Sequence, residues 1–449
     1  MRQLRPEFRG PSGRGDDPLA VAGPAPSVSL KQVARLFTGV GVTGEFPPGS
    51  WWEGVDLVWP APTAGHAGRH LGEVFDRVVA EMCGDAEVVG VNFSGGLDSL
   101  AVLAAVCRLV PARRVVAFTV DLAADDGAST AAAAGALVAG FGLPVDLVVV
   151  EPDGAGPVPP WSPLGPRFDA LPHVNARVNA AAVEAGCGVL LSGNGADELL
   201  AAGSFAAAEV AARWGARGAR RYLADLADTA AGWPGEVAAV AARMLPAGWS
   251  ARAYWAANWP GLCRPTVSPV LASRHVEAAL GWAAGWVRGQ VADHARARRS
   301  WAQADRIDTF WPRGFCPAAG GVPEGSPFLH PDLVAAGLAV PVALRYDPRP
   351  AHAYHRIKPL VVGLFPGGLK DRLPVRKRYY ATALSSAVAG PLAAPVCVEA
   401  GLLDAAAVAS CDQADGGGGG VLARRGGGSR APALALFSVR KLRASLLSG

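Results

Sequence analysis

Two short segments of this chain carry residue types suited to chemistry on polyphosphates. The first is Ser94-Gly95-Gly96-Leu97-Asp98-Ser99, set between the apolar run AEVVGVNF (86–93) and an apolar helical stretch. Two glycines let the backbone turn tightly and approach an anion closely. A helix N-terminus behind them offers unpaired N–H groups and the positive end of a dipole. Ser94 and Ser99 add hydroxyl donors. Asp98 would repel a phosphate on its own, so its place here implies an intervening cation, most simply Mg²⁺. A capped strand-to-helix turn also favours Ser or Asp. It does not need two glycines, two hydroxyls and a carboxylate at the C-terminal end of a buried strand, which is where open α/β sheets bind ligands.

The second segment is Leu191-Ser192-Gly193-Asn194-Gly195-Ala196-Asp197-Glu198-Leu199. It again reads as a strand running into a helix. Asp197 and Glu198 would serve a helix first turn as dipole-complementing charges. With the first segment present, Asp197 reads instead as a second carboxylate at the same sheet edge, sharing Mg²⁺ with Asp98. The chain has no Gly-Lys dipeptide, so a Walker A loop is absent. Gly39 to Gly44 fits GxGxxG, but Phe46-Pro47-Pro48-Gly49 follows where a helix should begin, so it is set aside.

The elements around these segments follow from periodicity. LGEVFDRVVAEMC spaces Leu71, Val74, Phe75, Val78 and Val79 as one helix face. Strands are expected at 86–93, 114–120, 145–150 and 188–193, and helices after the first segment, over 128–141 and around 173–186. Short apolar runs alternating with helices imply parallel β-α-β units: an α/β fold with a doubly wound parallel sheet. Residues 196–312 read as largely helical. The expected organisation is a disordered N-terminus (1–30), a short segment too small to be a domain (31–70), one large domain (71–390) and a Gly-rich tail with a terminal helix (391–449).

Composition narrows the classes. The chain has 449 residues, 51% hydrophobic and 18% charged, with a formal net charge of +4. That mild basic excess does not point to nucleic acid or an anionic membrane as partner. The seven cysteines are scattered and form no CxxC pair, which suggests a reducing compartment and no zinc cluster. The charged N-terminus does not read as a secretory signal. The uncharged stretch Ala128–Val145 is Ala/Gly-rich and too weakly apolar to span a bilayer. The expected location is the cytoplasm.

SGGLDS, VVAFTV and LLSGNGADELL, in this order, resemble the synthetase domain of the asparagine-synthetase family of ATP pyrophosphatases. Ser326-Pro-Phe-Leu-His-Pro331 resembles that family's PFLD segment. Lys358-Pro-Leu through Leu373-Pro-Val-Arg-Lys377 resembles its lysine-bearing segment, and residues 37–52 resemble the end of its glutaminase domain. The resemblance implies ATP and Mg²⁺ as cofactors. It implies that Phe93, Val120, Ser192 and Gly193 line the nucleotide and that Ser94, Gly95, Gly96, Leu97, Asp98 and Ser99 hold pyrophosphate. Asp98 and Asp197 would hold Mg²⁺, Lys377 would stabilise charge on the acyl intermediate, and Lys358 would touch phosphate.

The chain departs from that family in two places. Arg2 follows Met1 where the glutaminase half would place a nucleophilic Cys, and only residues 1–85 precede the first strand. Glutamine hydrolysis in cis is therefore not expected. Asn194 stands where asparagine synthetases usually carry Glu, and an Asn takes no proton at neutral pH. β-Lactam synthetases resemble this chain in varying that position. Asp305, Asp308 and Glu324 are candidate replacement bases, each with the alternative of being a solvated or helix-end charge.

The expected function is an AMP-forming carboxylate–amine ligase acting in peptide or natural-product maturation, as lasso-peptide cyclases do in closing a macrolactam. Its substrates would be small-molecule or peptide carboxylates and amines. A leader-peptide-binding protein or a protease would be its partner. The alternatives are asparagine synthesis from ammonia and a non-catalytic family member.

Overall fold

The computed structural model describes residues 67–152, 172–226, 232–259, 270–309, 321–380 and 403–415, with isolated positions 263, 383, 398 and 401. The expectations for 1–30, for most of 31–70 and for the Gly-rich stretch of the tail lie outside these residues.

The chain enters with α1 (Ala67–Cys83) and alternates through β1 (Val88–Asn92), α2 (Leu97–Leu109), β2 (Arg114–Val120), α3 (Thr130–Phe141), β3 (Asp146–Val150), α4 (Pro172–Glu184) and β4 (Val189–Ser192). The face foreseen on α1 is the one that packs: Leu71, Val74, Phe75, Val78 and Val79 are all buried. α3 starts where Ser129 accepts the N–H of Ala132, and it stops at Gly142 in the left-handed region. The uncharged stretch of the sequence is therefore a helix, a turn and the approach to a strand. Among the described residues no helix is long and apolar enough to cross a membrane.

The five strands are all parallel, in the order β3-β2-β1-β4-β5. Val89 pairs with Val115 on one side and Val189 on the other. The central strand is buried on both faces, as parallel strands covered by helices must be, so Val89 and Val91 are fully enclosed. The chain winds outward from β1 to β3, then returns to the opposite side of β1. The carboxyl ends of β1 and β4 are thus the switch point, where the loops that follow diverge and leave a crevice. Both chemistry-bearing segments sit there.

The fifth strand, β5 (Glu324–Gly325), was not foreseen. Two residues carry no periodicity, and pairing with Leu190 and Leu191 of β4 defines the strand. Its effect is local: it delivers Ser326, whose hydroxyl donates to the main-chain oxygen of Asn194 at 2.7 Å.

After β4 come α5 (Ala196–Leu200), α6 (Ala207–Asp225), α7 (Gly232–Ala242), α8 (Ala247–Asn258), α9 (Ser273–Arg296) and α10 (Trp301–Thr309). This helical half has its own aromatic core. Phe205 meets Trp301 edge to face at 5.5 Å, and Tyr254 meets Trp255 in the same way. The short α5 cannot hold itself in place. Arg306 and the buried Arg345 both donate to Leu199 O at its C-terminal end, where the helix presents unpaired carbonyls. Beyond β5 follow α11 (Pro331–Ala339), α12 (Ala353–Ile357), α13 (Pro359–Gly363) and, in the last described segment, α14 (Ala405–Asp415).

Candidate active site

The Ser94–Ser99 loop is braced by its own hydroxyls. Ser99 Oγ accepts the N–H of Ser94, lies 3.2 Å from Ser94 Oγ and donates to Gly96 O. Ser99 is buried and braces the loop from the cleft wall, while Ser94 is exposed to the cleft. The second loop presses directly against the first. A Cβ on Gly193 would fall 2.6 Å from Ser99 N and 2.8 Å from the carbonyl carbon of Asp98. Only glycine allows the two loops to touch there. Gly195, at φ +88°, then turns the chain into α5.

That contact brings the two carboxylates together around one ammonium. Lys358 Nζ lies 2.6 Å from Asp98 Oδ2 and 2.6 Å from Asp197 Oδ1. Lys377 Nζ lies 2.8 Å from Asp197 Oδ2. Lys358 is enclosed and Lys377 is half exposed. Burial alone would lower the pKa of Lys358, but Asp98 and Asp197 outweigh it and hold the ammonium charged well above the ordinary range. Burial pushes Asp98 up, and the charge of Asp197 adds to that. Asp197 is only partly buried; burial opposes its ionisation, but Lys358 and Lys377 together hold it below the usual carboxylate range. Tyr354 closes the base of the loop: its ring lies under Lys358 Nζ at 5.2 Å, and its hydroxyl accepts the N–H of Leu97.

The cleft above this network has a volume of about 750 Å³, enough for a nucleotide and an acyl group together. Ser94, Gly95, Gly96, Asp98 and Ser99 line one side of it. Ser192, Gly193, Asn194 and Asp197 line another, and Lys377 closes a third. Phe93, Leu97, Val120 and Lys358 are not lining residues. Phe93 and Leu97 are fully buried in the core beneath the loops. Val120 sits in the sheet opposite Val150. Lys358 lies behind the carboxylates and neutralises them from below rather than reaching into the cleft. Its place in a lysine-bearing motif suggested phosphate, but its partners are the two acids.

Among the lining residues passed over in the sequence are one aromatic and two cations. Tyr354 left no signal. Arg376 and Arg378 flank Lys377 and line the cleft with it. A triplet of cations in a chain that also carries a phosphate loop was the available clue.

Asp98 Oδ1 is buried without a hydrogen-bond partner. An orphaned buried carboxylate oxygen is costly, and this one fits a metal ligand. Among the described residues no group of three or more His, Cys, Asp or Glu could cage a metal. Two carboxylates suit Mg²⁺, which binds through one or two acids together with substrate phosphates.

A family model described as asparagine synthase matches residues 70–357. The chain belongs to the asparagine synthase family. The match covers more than half of the sequence, contains both glycine-bearing loops, and ends one residue before Lys358. No curated protein matches the chain closely enough to stand as a named relative. The asparagine synthase family supplies the coarse chemistry: ATP-dependent, amide-forming ligation on an ATP-pyrophosphatase fold, in line with the parallel sheet and its switch-point cleft.

Proposed function

We propose that this chain activates a carboxylate with Mg-ATP and couples it to an amine carried by a peptide or other natural-product precursor. Macrolactam closure of the lasso-peptide type is the favoured case. The supporting observation is Asn194. It lines the cleft between the two carboxylate-bearing loops, and its main-chain oxygen is held by Ser326. An amide there hydrogen-bonds but takes no proton, so ammonium would meet no base at the position where asparagine synthesis uses one. A substrate amine delivered in a shaped pocket can use a base elsewhere.

In the proposed cycle, Asp98 and Asp197 would hold Mg²⁺, which supplies Lewis-acid neutralisation of the leaving pyrophosphate. The Ser94–Gly96 backbone cradles phosphate oxygens. Lys377 stabilises the negative charge that develops on the acyl oxygen during amine attack. A leader-peptide-binding protein or a protease would be the natural partner of such an enzyme.

The test is direct. Purified protein is assayed for ATP–pyrophosphate exchange, and for amide formation with aspartate plus ammonium against peptides that hold a free amine and a side-chain acid. Amide formation on a peptide supports the proposal. Robust asparagine formation overturns it in favour of ammonia-dependent asparagine synthesis. Failure to bind Mg-ATP would favour a non-catalytic role.

A further inference from the structure

We propose that Asp305 takes the proton from the attacking amine, and that the small chamber it lines admits that amine to the acyl-adenylate. The inference rests on the amide-ligase reading above. The chamber has a volume of about 220 Å³ and shares Asp197 and Glu198 with the nucleotide cleft. Ala201, Ala202, Gly203, Ser204 and Leu226 complete the wall, and all but Leu226 are small, which leaves the space open. A Cβ added at Gly203 would lie 3.7 Å from Asp305 Oδ2, in van der Waals contact. The space suits an aliphatic ammonium group: Glu198 and Asp305 line it against one guanidinium, while Asp197 is already held by Lys358 and Lys377.

Of the three acids that the sequence offers as replacement bases, only Asp305 lines this chamber. Asp308 is enclosed against His294, whose Nε2 lies 2.9 Å from it while Arg299 donates to Nδ1. Glu324 accepts from Asn179 at 2.9 Å on the far side of β4. The one cation in the chamber wall, Arg306, is directed at main-chain oxygens of Leu199 and Ala201. The groups facing Asp305 are Tyr254 of α8, with its hydroxyl 3.5 Å from Oδ1, the N–H of Ser204, Tyr222 of α6, and Arg306 and Asp308 of its own helix. Burial and the charge of Asp308 push its carboxyl up to about 7. That is the range in which a base serves best at neutral pH.

The step balances as follows. The ammonium gives one proton to the Asp305 carboxylate. The amine lone pair forms the C–N bond at the acyl carbon, and the C–O bond to AMP breaks. The second amine proton leaves through the cleft with AMP, and Asp305 returns its proton to water.

The experiment uses full-length wild type, Asp305→Asn and Gly203→Val. The acids are aspartate, glutamate and short peptides containing them. The nucleophiles are methylamine, which is protonated at neutral pH, and hydroxylamine, which is not. Expected for Asp305→Asn are near-normal ATP–pyrophosphate exchange, methylamide formation down by about 100-fold, and hydroxamate formation retained. Unchanged methylamide formation would overturn the proposal, as would an equal loss with both nucleophiles while exchange persists. If Asp305→Asn loses exchange through misfolding, Gly203→Val decides. It should raise the KM for methylamine by about tenfold or more with exchange intact, and an unchanged KM overturns the proposal. Exchange by wild type with none of the acids would overturn the amide-ligase reading itself, and this inference with it.

Discussion

Lys358 Nζ donates to Asp98 Oδ2 at 2.6 Å across 260 positions of sequence. The same ammonium bridges to Asp197, so one buried cation holds the ends of β1 and β4 in register from behind the cleft. Two acids this close would repel each other strongly in a medium of low dielectric. The lysine is what lets them coexist before any metal arrives.

Lys358→Met should therefore cost about 1–3 kcal/mol of stability, because it leaves two partly buried carboxylates without their counter-charge. Urea denaturation with and without Mg²⁺ checks this. The variant should recover part of its loss when the metal is present, and a fully wild-type midpoint without metal would refute the role.

Asp98→Asn and Asp197→Asn should each reduce pyrophosphate release by at least about 100-fold while the protein stays folded. The measurement is ATP–pyrophosphate exchange alongside circular dichroism. Near-normal exchange in either variant would remove that residue from the proposed metal site.

Gly193→Ala probes the loop contact. A Cβ 2.6 Å from Ser99 N has to push backbone from backbone, a strain of about 1–3 kcal/mol. Weaker nucleotide binding is expected, seen as a raised Kd for Mg-ATP by calorimetry. An unchanged Kd would mean that the loops separate freely.

The buried pair of Asp225 and Arg356 gives a separate pH signature. Arg356 binds both carboxylate oxygens, at 2.5 and 2.6 Å, and Tyr346 donates to one of them. Burial opposes ionisation, but these partners outweigh it and hold Asp225 below the usual range. A depressed carboxylate contributes stability that is fully present above its unfolded value, about 4, and lost as pH falls through the folded value. Asp225→Asn should destabilise by about 3–5 kcal/mol at neutral pH and flatten the acid limb of Tm against pH. An unchanged acid limb would sink the assignment.

Much of the sheet was legible because buried parallel strands read as apolar runs: β1, β2, β3 and β4 fall within a residue or two of their expected bounds. The two loops were legible because their chemistry is local in sequence. What was hidden is non-local. Nothing around Lys358 indicates that its partners stand at positions 98 and 197. β5 is too short to show a period, and it exists only against β4. The cleft-lining role of Tyr354 follows from packing over Leu97, which no spacing rule reports. Asp305, Asp308 and Glu324 were indistinguishable as sequence. Burial and neighbours separate them: one beside a chamber, one bound to His294, one paired with Asn179.

The order in which the site is assembled has a consequence for biosynthesis. Both acids and all four strands through β4 leave the ribosome before either lysine exists. At about 5–20 residues per second, the 161 positions from Asp197 to Lys358 correspond to a delay on the order of ten seconds. During that time Asp98 and Asp197 have no ammonium between them. The pair locks only when the last third of the chain folds back, a long-range closure that is intrinsically slow. A prematurely terminated chain that carries both glycine-bearing loops would thus lack the buried ammonium that joins them.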